Sequence, residues 1–133
     1  KSRTGVLRSQ ESCLPRELFG HIIQWNFDPN APEYGTKAQA EPNEERIAAL
    51  HAYEVEACRY SLQLLHECGV EDCDQWLADF AACDFAYLTQ FYRTGEKWEF
   101  RSFWRQGCAR LEPLAVPDFT PKKWTGRWSG VVV

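Results

Sequence analysis

Residues 58–83 read CRYSLQLLHECGVEDCDQWLADFAAC, from Cys58 to Cys83. Two cysteine pairs in this stretch share one spacing: nine residues lie between Cys58 and Cys68, nine between Cys73 and Cys83, and four between the pairs. Ten residues along a helix advance about 15 Å and about 1,000°, which returns to nearly the same face. Each half therefore predicts a helix with two thiols on one stripe. The link from Gly69 to Asp72 has the length that makes neighbouring helices antiparallel, and Gly69 supplies a C-terminal stop. Folding the hairpin places Cys68 opposite Cys73 and Cys58 opposite Cys83. Four cysteines permit three connectivities. Only the nested one joins two rows that face each other; the others tie far ends to near ends, beyond disulfide reach.

Working outward, the first helix is expected to begin after Asn43, a suitable N-cap, with Glu44 and Glu45 in the first turn, where the helix dipole favours acids. Its apolar stripe is Ile47, His51, Val55, Cys58, Leu62, Leu65 and Cys68. The stripe of the second helix is Cys73, Trp76 or Leu77, Phe80, Cys83, Tyr87 and Phe91, with Gly95 as its stop. Upstream, residues 1–12 are a polar, basic arm. Pro15 to Asn26 form a short helix with Leu18, Ile22 and Trp25 on one face. Residues 28–43, with Pro29, Pro32, Gly35 and Pro42, are a long surface loop. Downstream, residues 96–107 alternate like a strand at Trp98, Phe100, Ser102 and Trp104, while Phe100, Phe103 and Trp104 fit one helix face. With no strand to pair with, a short helix is expected. From Pro113 onward the prolines, Gly126 and Gly130 forbid long regular structure. The expected architecture is all-α: an N-terminal arm, short helix and loop over 1–43, a disulfide-stapled hairpin over 44–95, and a short helix with an extended arm over 96–133.

The stretch from Cys58 to Cys83 resembles the twin C-x9-C, or coiled-coil-helix-coiled-coil-helix, family. The resemblance is strict over 58–83 and reaches 44–93 with the helices. Phe80 matches the aromatic that many members carry seven residues after the first cysteine of a motif; Leu65 stands there in the first half. The resemblance implies a protein of the mitochondrial intermembrane space, oxidised by the import oxidoreductase of that compartment, in a family that includes assembly factors and accessory subunits of respiratory complexes. Cys13 and Cys108 fall outside the pattern. Paired, they tie the N-terminal helix to the segment after the hairpin; the alternative is two free thiols.

Chemistry is not written into the chain. His21, His51 and His66 are its three histidines, and no E-x-x-H pair exists for a carboxylate-bridged metal centre. No G-x-S-x-G, P-loop or dinucleotide fingerprint occurs. The C-P-C dithiol of the family's oxidoreductase and the adjacent cysteines of its copper chaperone are both missing. A zinc site from His66, Cys68, Cys73 and Cys83 is a rival to the disulfides, but it lacks the C-x2-C spacing of structural zinc. Neither a catalytic residue nor a cofactor is expected.

Charge points to binding instead. The net charge of -4 gives no case for nucleic acid. Residues 1–16 carry a net +3, residues 17–92 a net -11 and residues 93–133 a net +4. The basic ends suit acidic partner surfaces or lipid headgroups at a membrane periphery. No apolar run approaches the roughly 18 residues a bilayer span needs, and the absence of methionine suggests a processed or truncated product. Trp98, Trp104, Trp124, Trp128 and Arg127 are the expected interface anchors, because Trp and Arg dominate binding hot spots. Residues 113–133 are expected to lie along a neighbouring subunit. The function this implies is an accessory, scaffolding subunit of a mitochondrial inner-membrane complex, a respiratory-chain complex or the ATP synthase, on the intermembrane-space side. The alternatives are a soluble assembly factor or metal or client chaperone of that space, and a cytosolic helical interaction domain with reduced thiols.

Overall fold

The computed structural model describes residues 18–31, 33–34 and 41–121. Over these residues the fold is helical, with no strand: α1 (Leu18–Phe27), α2 (Glu44–Glu67), α3 (Asp74–Thr94) and a single 3-10 turn (Phe100–Phe103).

The hairpin ends follow from local chemistry. Asn43 is extended and its side chain accepts from the Arg46 amide at 2.9 Å, which satisfies one of the orphan donors of the first turn of α2. At the other end Gly69 takes φ 75°. Its amide donates to the His66 carbonyl at 2.9 Å and the Val70 amide donates to the Leu65 carbonyl at 2.8 Å. Those two bonds form a Schellman motif, and Val70 packs back on the cluster that holds Leu65. Asp74 opens α3 and its carboxylate reaches His66 across the turn, at 2.8 Å. Gly95, at φ 73°, closes α3 by donating to the Phe91 carbonyl at 2.7 Å. At the open end Arg93 grips Glu44 through two bonds, at 3.0 and 2.7 Å, so the two helices run antiparallel.

Helix α1 crosses α2 at backbone distance. A Cβ on Gly20 would stand 1.7 Å from the Ala57 carbonyl oxygen, so no side chain fits there. The Gly20 amide, an orphan donor of the first turn, finds the Ser61 hydroxyl at 2.8 Å. Gln24, fully buried, donates to the Tyr53 carbonyl at 2.8 Å and to Glu56 at 2.9 Å. Trp25 donates from Nε1 to the Tyr53 hydroxyl at 2.9 Å. The expected helix from Pro15 begins at Leu18 among the described residues and runs one residue further, to Phe27.

The core at the hairpin turn is Leu62, Leu65, Cys73 and Leu77, with Val70, Trp76 and Leu111 packed against it. The α2-facing stripe of α3 continues through Phe80, Asp84 and Leu88, which line one cavity with Cys58. This stripe is rotated from the expected one. Trp76, Cys83, Tyr87 and Phe91 lie on a neighbouring face that meets the chain after Gly95. Helix α3 is thus apolar on two faces, because a third layer covers the second.

That rotation overturns the nested staple. None of Cys58, Cys68, Cys83 and Cys108 is joined in a disulfide. Cys73 is disulfide-bonded, to a partner outside the described residues. Cys58 faces the stripe of Phe80 and Asp84, whereas Cys83 sits about 100° away from Asp84 around the helix and points its Sγ at the Phe100 carbonyl, 3.4 Å away. Cys68 is exposed because the helix stops at Glu67 and the cap turns its side chain outward. Cys108 is free, so the Cys13–Cys108 pairing is likewise not formed.

The expected helix over 96–107 contracts to the turn Phe100–Phe103, and residues 104–121 form a strap without regular structure. The strap folds back on the hairpin. Asp79 accepts from the Cys108 amide at 2.8 Å and Gln75 donates to the Cys108 carbonyl at 2.8 Å. Arg59 on α2 donates to the Glu112 carbonyl at 2.8 Å, and the Leu114 amide donates to the Arg59 carbonyl at 3.3 Å. The arm expected along a neighbour therefore begins, through at least Leu114, as part of this molecule's own surface, since unpaired backbone groups there find partners on α2 and α3. Residues 122–133 lie outside the described residues.

Candidate protein-binding surface

The second apolar face of α3 carries aromatics at Trp76, Tyr87 and Phe91, Phe80 stands at its border with the α2-facing stripe, and the chain after Gly95 returns Trp98, Phe100, Phe103 and Trp104 to them. The rings form one continuous run: Trp104 to Trp76 at 6.2 Å, Trp76 to Phe80 at 5.1 Å, Phe80 to Phe100 at 5.8 Å, Phe100 to Tyr87 at 5.5 Å, Tyr87 to Phe103 at 6.1 Å and Phe103 to Trp98 at 6.3 Å. All lie in the range where offset and edge contacts add to burial. The 3-10 turn supplies two of these rings and is fixed by its own polar contacts. Ser102 donates to the Glu99 carbonyl at 2.6 Å, and Arg105 caps the turn by donating to the Trp104 carbonyl at 2.9 Å.

The run ends at solvent. Trp98 is 52% exposed, although one face stacks on Phe103 and its Nε1 donates to Glu96 at 3.1 Å. Beside it Lys97 places its ammonium 5.9 Å from the centre of the Phe91 ring. Arg101, Arg105 and Arg110 are exposed along the same segment. An exposed large aromatic with cations around it has the composition of a binding hot spot.

Of the expected anchors, Trp98 is therefore placed at the surface. Trp104 is half-buried against Trp76 and serves this molecule's own packing. Trp124, Arg127 and Trp128 lie outside the described residues. Lys97 was not singled out in the sequence, and Phe103 was read there as part of a helix face and not as an anchor. The face they pack against was signalled by the aromatic spacing of α3, which was assigned to the hairpin core.

The thiols near this surface are held in their protonated form. Burial pushes Cys83 up to about 11, with Asp84 adding to the effect. Cys108 is pushed up by burial and by Asp79. A thiol so shifted is a poor nucleophile at neutral pH. The zinc alternative does not assemble either. His66 is engaged by Asp74, Cys68 is exposed, Cys73 is disulfide-bonded and Cys83 looks at Phe100. Among the described residues no group of three or more His, Cys, Asp or Glu side chains is arranged to hold a metal ion. His51, expected on the apolar stripe, stacks on Phe85 with centroids 3.5 Å apart, and burial lowers its pKa. No helix among the described residues is long and apolar enough to cross a membrane.

The chain matches no family model, no curated protein and no solved structure.

Proposed function

We propose that this chain is a helical scaffold that binds other proteins through the surface around Trp98, and that it serves as an accessory subunit of a mitochondrial inner-membrane complex on the intermembrane-space side. The observation that carries the reading is Trp98 itself. A large ring more than half exposed, yet stacked and hydrogen-bonded so that it is held in place, is preorganised for a partner pocket. Preorganisation lowers the entropy that binding must overcome. The compartment rests on a different support, the repeated cysteine spacing of residues 58–83 and its resemblance to the twin C-x9-C family. The class of complex, respiratory chain or ATP synthase, follows from that resemblance.

Gel filtration of detergent-solubilised inner membranes tests the reading. The tagged chain is expected to migrate with a large complex, and Trp98→Ala is expected to release most of it while leaving its helical circular dichroism unchanged. Migration of the unmodified chain as a lone small protein would reject the subunit role. Equal retention of Trp98→Ala would move the contact elsewhere on the surface.

A further inference from the structure

Gln24 and Glu54 fix the charge of the imidazole between them. Gln24 is fully buried in α1, and its amide nitrogen donates to the Tyr53 carbonyl at 2.8 Å and to Glu56 at 2.9 Å. Both partners are acceptors, so the amide cannot be turned round. Its oxygen therefore faces His21, 3.0 Å from Nδ1, and an amide oxygen only accepts. On the other side of the ring, Nε2 lies 3.0 Å from the Glu54 carboxylate, which also accepts. A neutral imidazole carries one N–H and would turn the lone pair of its other nitrogen toward an acceptor. Two N–H groups satisfy both contacts, and the ring that carries them is a cation.

Burial by itself favours the neutral ring, and the His21 side chain is 14% exposed. Every element packed against it opposes that tendency. On α1, Trp25 stacks on the ring at 5.9 Å; on α2, Tyr53 lies 5.0 Å away, and both distances are within reach of a cation over an aromatic face. Tyr53 adds no charge of its own, because burial pushes its phenol up to about 12. Helix α2 contributes Glu54 and, through Gln24, Glu56. Helix α3 contributes Asp84, whose carboxyl is raised to about 7 by burial and by Glu54 and is drawn back down by His21. Above that value Asp84 is ionised and favours a cation at His21 further. The thiol of Cys58 completes the surroundings, and the groove it shares with His21 gives the ring a path for its proton.

We propose that His21 is a proton-operated clasp for α1: as the imidazolium it ties Gln24 of its own helix to Glu54 of α2, and on losing its proton it must let go of one of them. Either loss is costly. Releasing Gln24 strips the donor from a buried amide oxygen, and releasing Glu54 breaks a bond between the two helices. In a detached α1 the imidazole titrates at its ordinary value, whereas the seated helix holds the proton to higher pH. Above the ordinary value the seated form thus binds more protons than the detached one. Rising pH therefore weakens the seating of α1 until the seated ring is neutral too, and falling pH restores it. The clasp is independent of the Trp98 surface.

The test is the 15N spectrum of the His21 ring in the full chain, with hydrogen exchange of the α1 amides measured alongside. At pH 7.5 an ordinary imidazole is about nine-tenths neutral, whereas about half or more of His21 is expected to carry both protons. With that difference, the protection of α1 amides relative to those of α3 is expected to fall about fivefold or more between pH 6.5 and pH 8.5. Glu54→Gln is expected to leave the ring mostly neutral at pH 7.5, and His21→Gln to abolish the fall in protection. Asp84→Asn, which removes a second group titrating in this range, is expected to keep that fall. A neutral ring at pH 7.5 in the unmodified chain would overturn the proposal, as would α1 protection that does not follow the ring's titration or that loses its pH dependence in Asp84→Asn. Where a variant fails to fold, the ring spectrum and the exchange profile of the unmodified chain decide.

Discussion

The two sides of the hairpin are held by different physics. On the α1 side the contact is made backbone to backbone at Gly20 and Ala57, and by directed hydrogen bonds from Gly20, Gln24 and Trp25. On the other side the 3-10 turn and the Trp104 that follows it meet α3 through rings 5.5–6.2 Å apart, before the strap beyond them is tied down at Cys108. Close polar contact is steep: a displacement of an ångström loses the bonds and leaves buried donors unpaired. Ring packing is shallow, because each contact is weak and the total tolerates small shifts. The first side fixes the angle of α1. The second side can adjust, and it is the side that ends at the exposed Trp98.

Gly20→Val tests the steep side and should have the largest effect. Its added carbons meet the Ala57 backbone, not a movable side chain, so α1 must lift off. A loss of at least about 3 kcal/mol in denaturant unfolding is expected; an unchanged midpoint would mean that α1 contributes little to stability. Trp76→Ala probes the shallow side. It removes the ring between Phe80 and Trp104 that also packs on the hairpin core. Because Trp76 is half-buried, about 2 kcal/mol is expected, below the figure for a fully buried aromatic. A loss exceeding that of Gly20→Val would reverse the comparison.

A smaller effect comes from the polar seam between α1, α2 and α3. The folded state raises Asp84 to about 7, above its value of 3.8 when solvated. The folded chain then binds more protons than the unfolded one between these values, so this group makes the fold less stable as pH rises from about 4 to about 7, and changes nothing beyond. Thermal melts should therefore show a higher midpoint at pH 5.5 than at pH 8 from this group, with Glu54 and His21 as the facing charges, and Asp84→Asn should remove that difference. The smallest effect belongs to Arg93→Gln. Its bonds to Glu44 hold Glu44 low and Arg93 high, but both groups stand in solvent. No measurable change in stability is expected, because exposed ion pairs are screened.

The ends of α2 and α3 were legible in the sequence because caps are local. Asn43, Gly69 and Gly95 each act within a few residues. The working face of α3 was not legible. Periodicity reports an apolar stripe, and α3 carries two about 100° apart; choosing between them needs the strap, which has no periodic signal of its own. The cysteine pairing failed with that choice, since Cys83 belongs to the stripe under Phe100. Gly20 also gave no warning, because the need for a missing Cβ arises only when α2 is beside it. Asp84 did leave a trace, as an acid four residues from Phe80 and four from Leu88 in an otherwise apolar row. Trp98 and Trp104 were recognised as anchors, but Trp104 was already committed to Trp76.

Four of the hydrogen bonds that fasten the strap to α2 and α3 engage the strap's own main chain, at the amide and carbonyl of Cys108, the carbonyl of Glu112 and the amide of Leu114, and Arg110 adds a longer side-chain bond to Gln75, at 3.4 Å. Main-chain groups are the same in any residue but proline. The hairpin therefore grips a track in which outward side chains such as Arg105 and Glu112 take no part in the grip. Those positions can mutate toward a new partner without loosening the track, so recognition can diverge across descendants while the platform that carries it stays fixed.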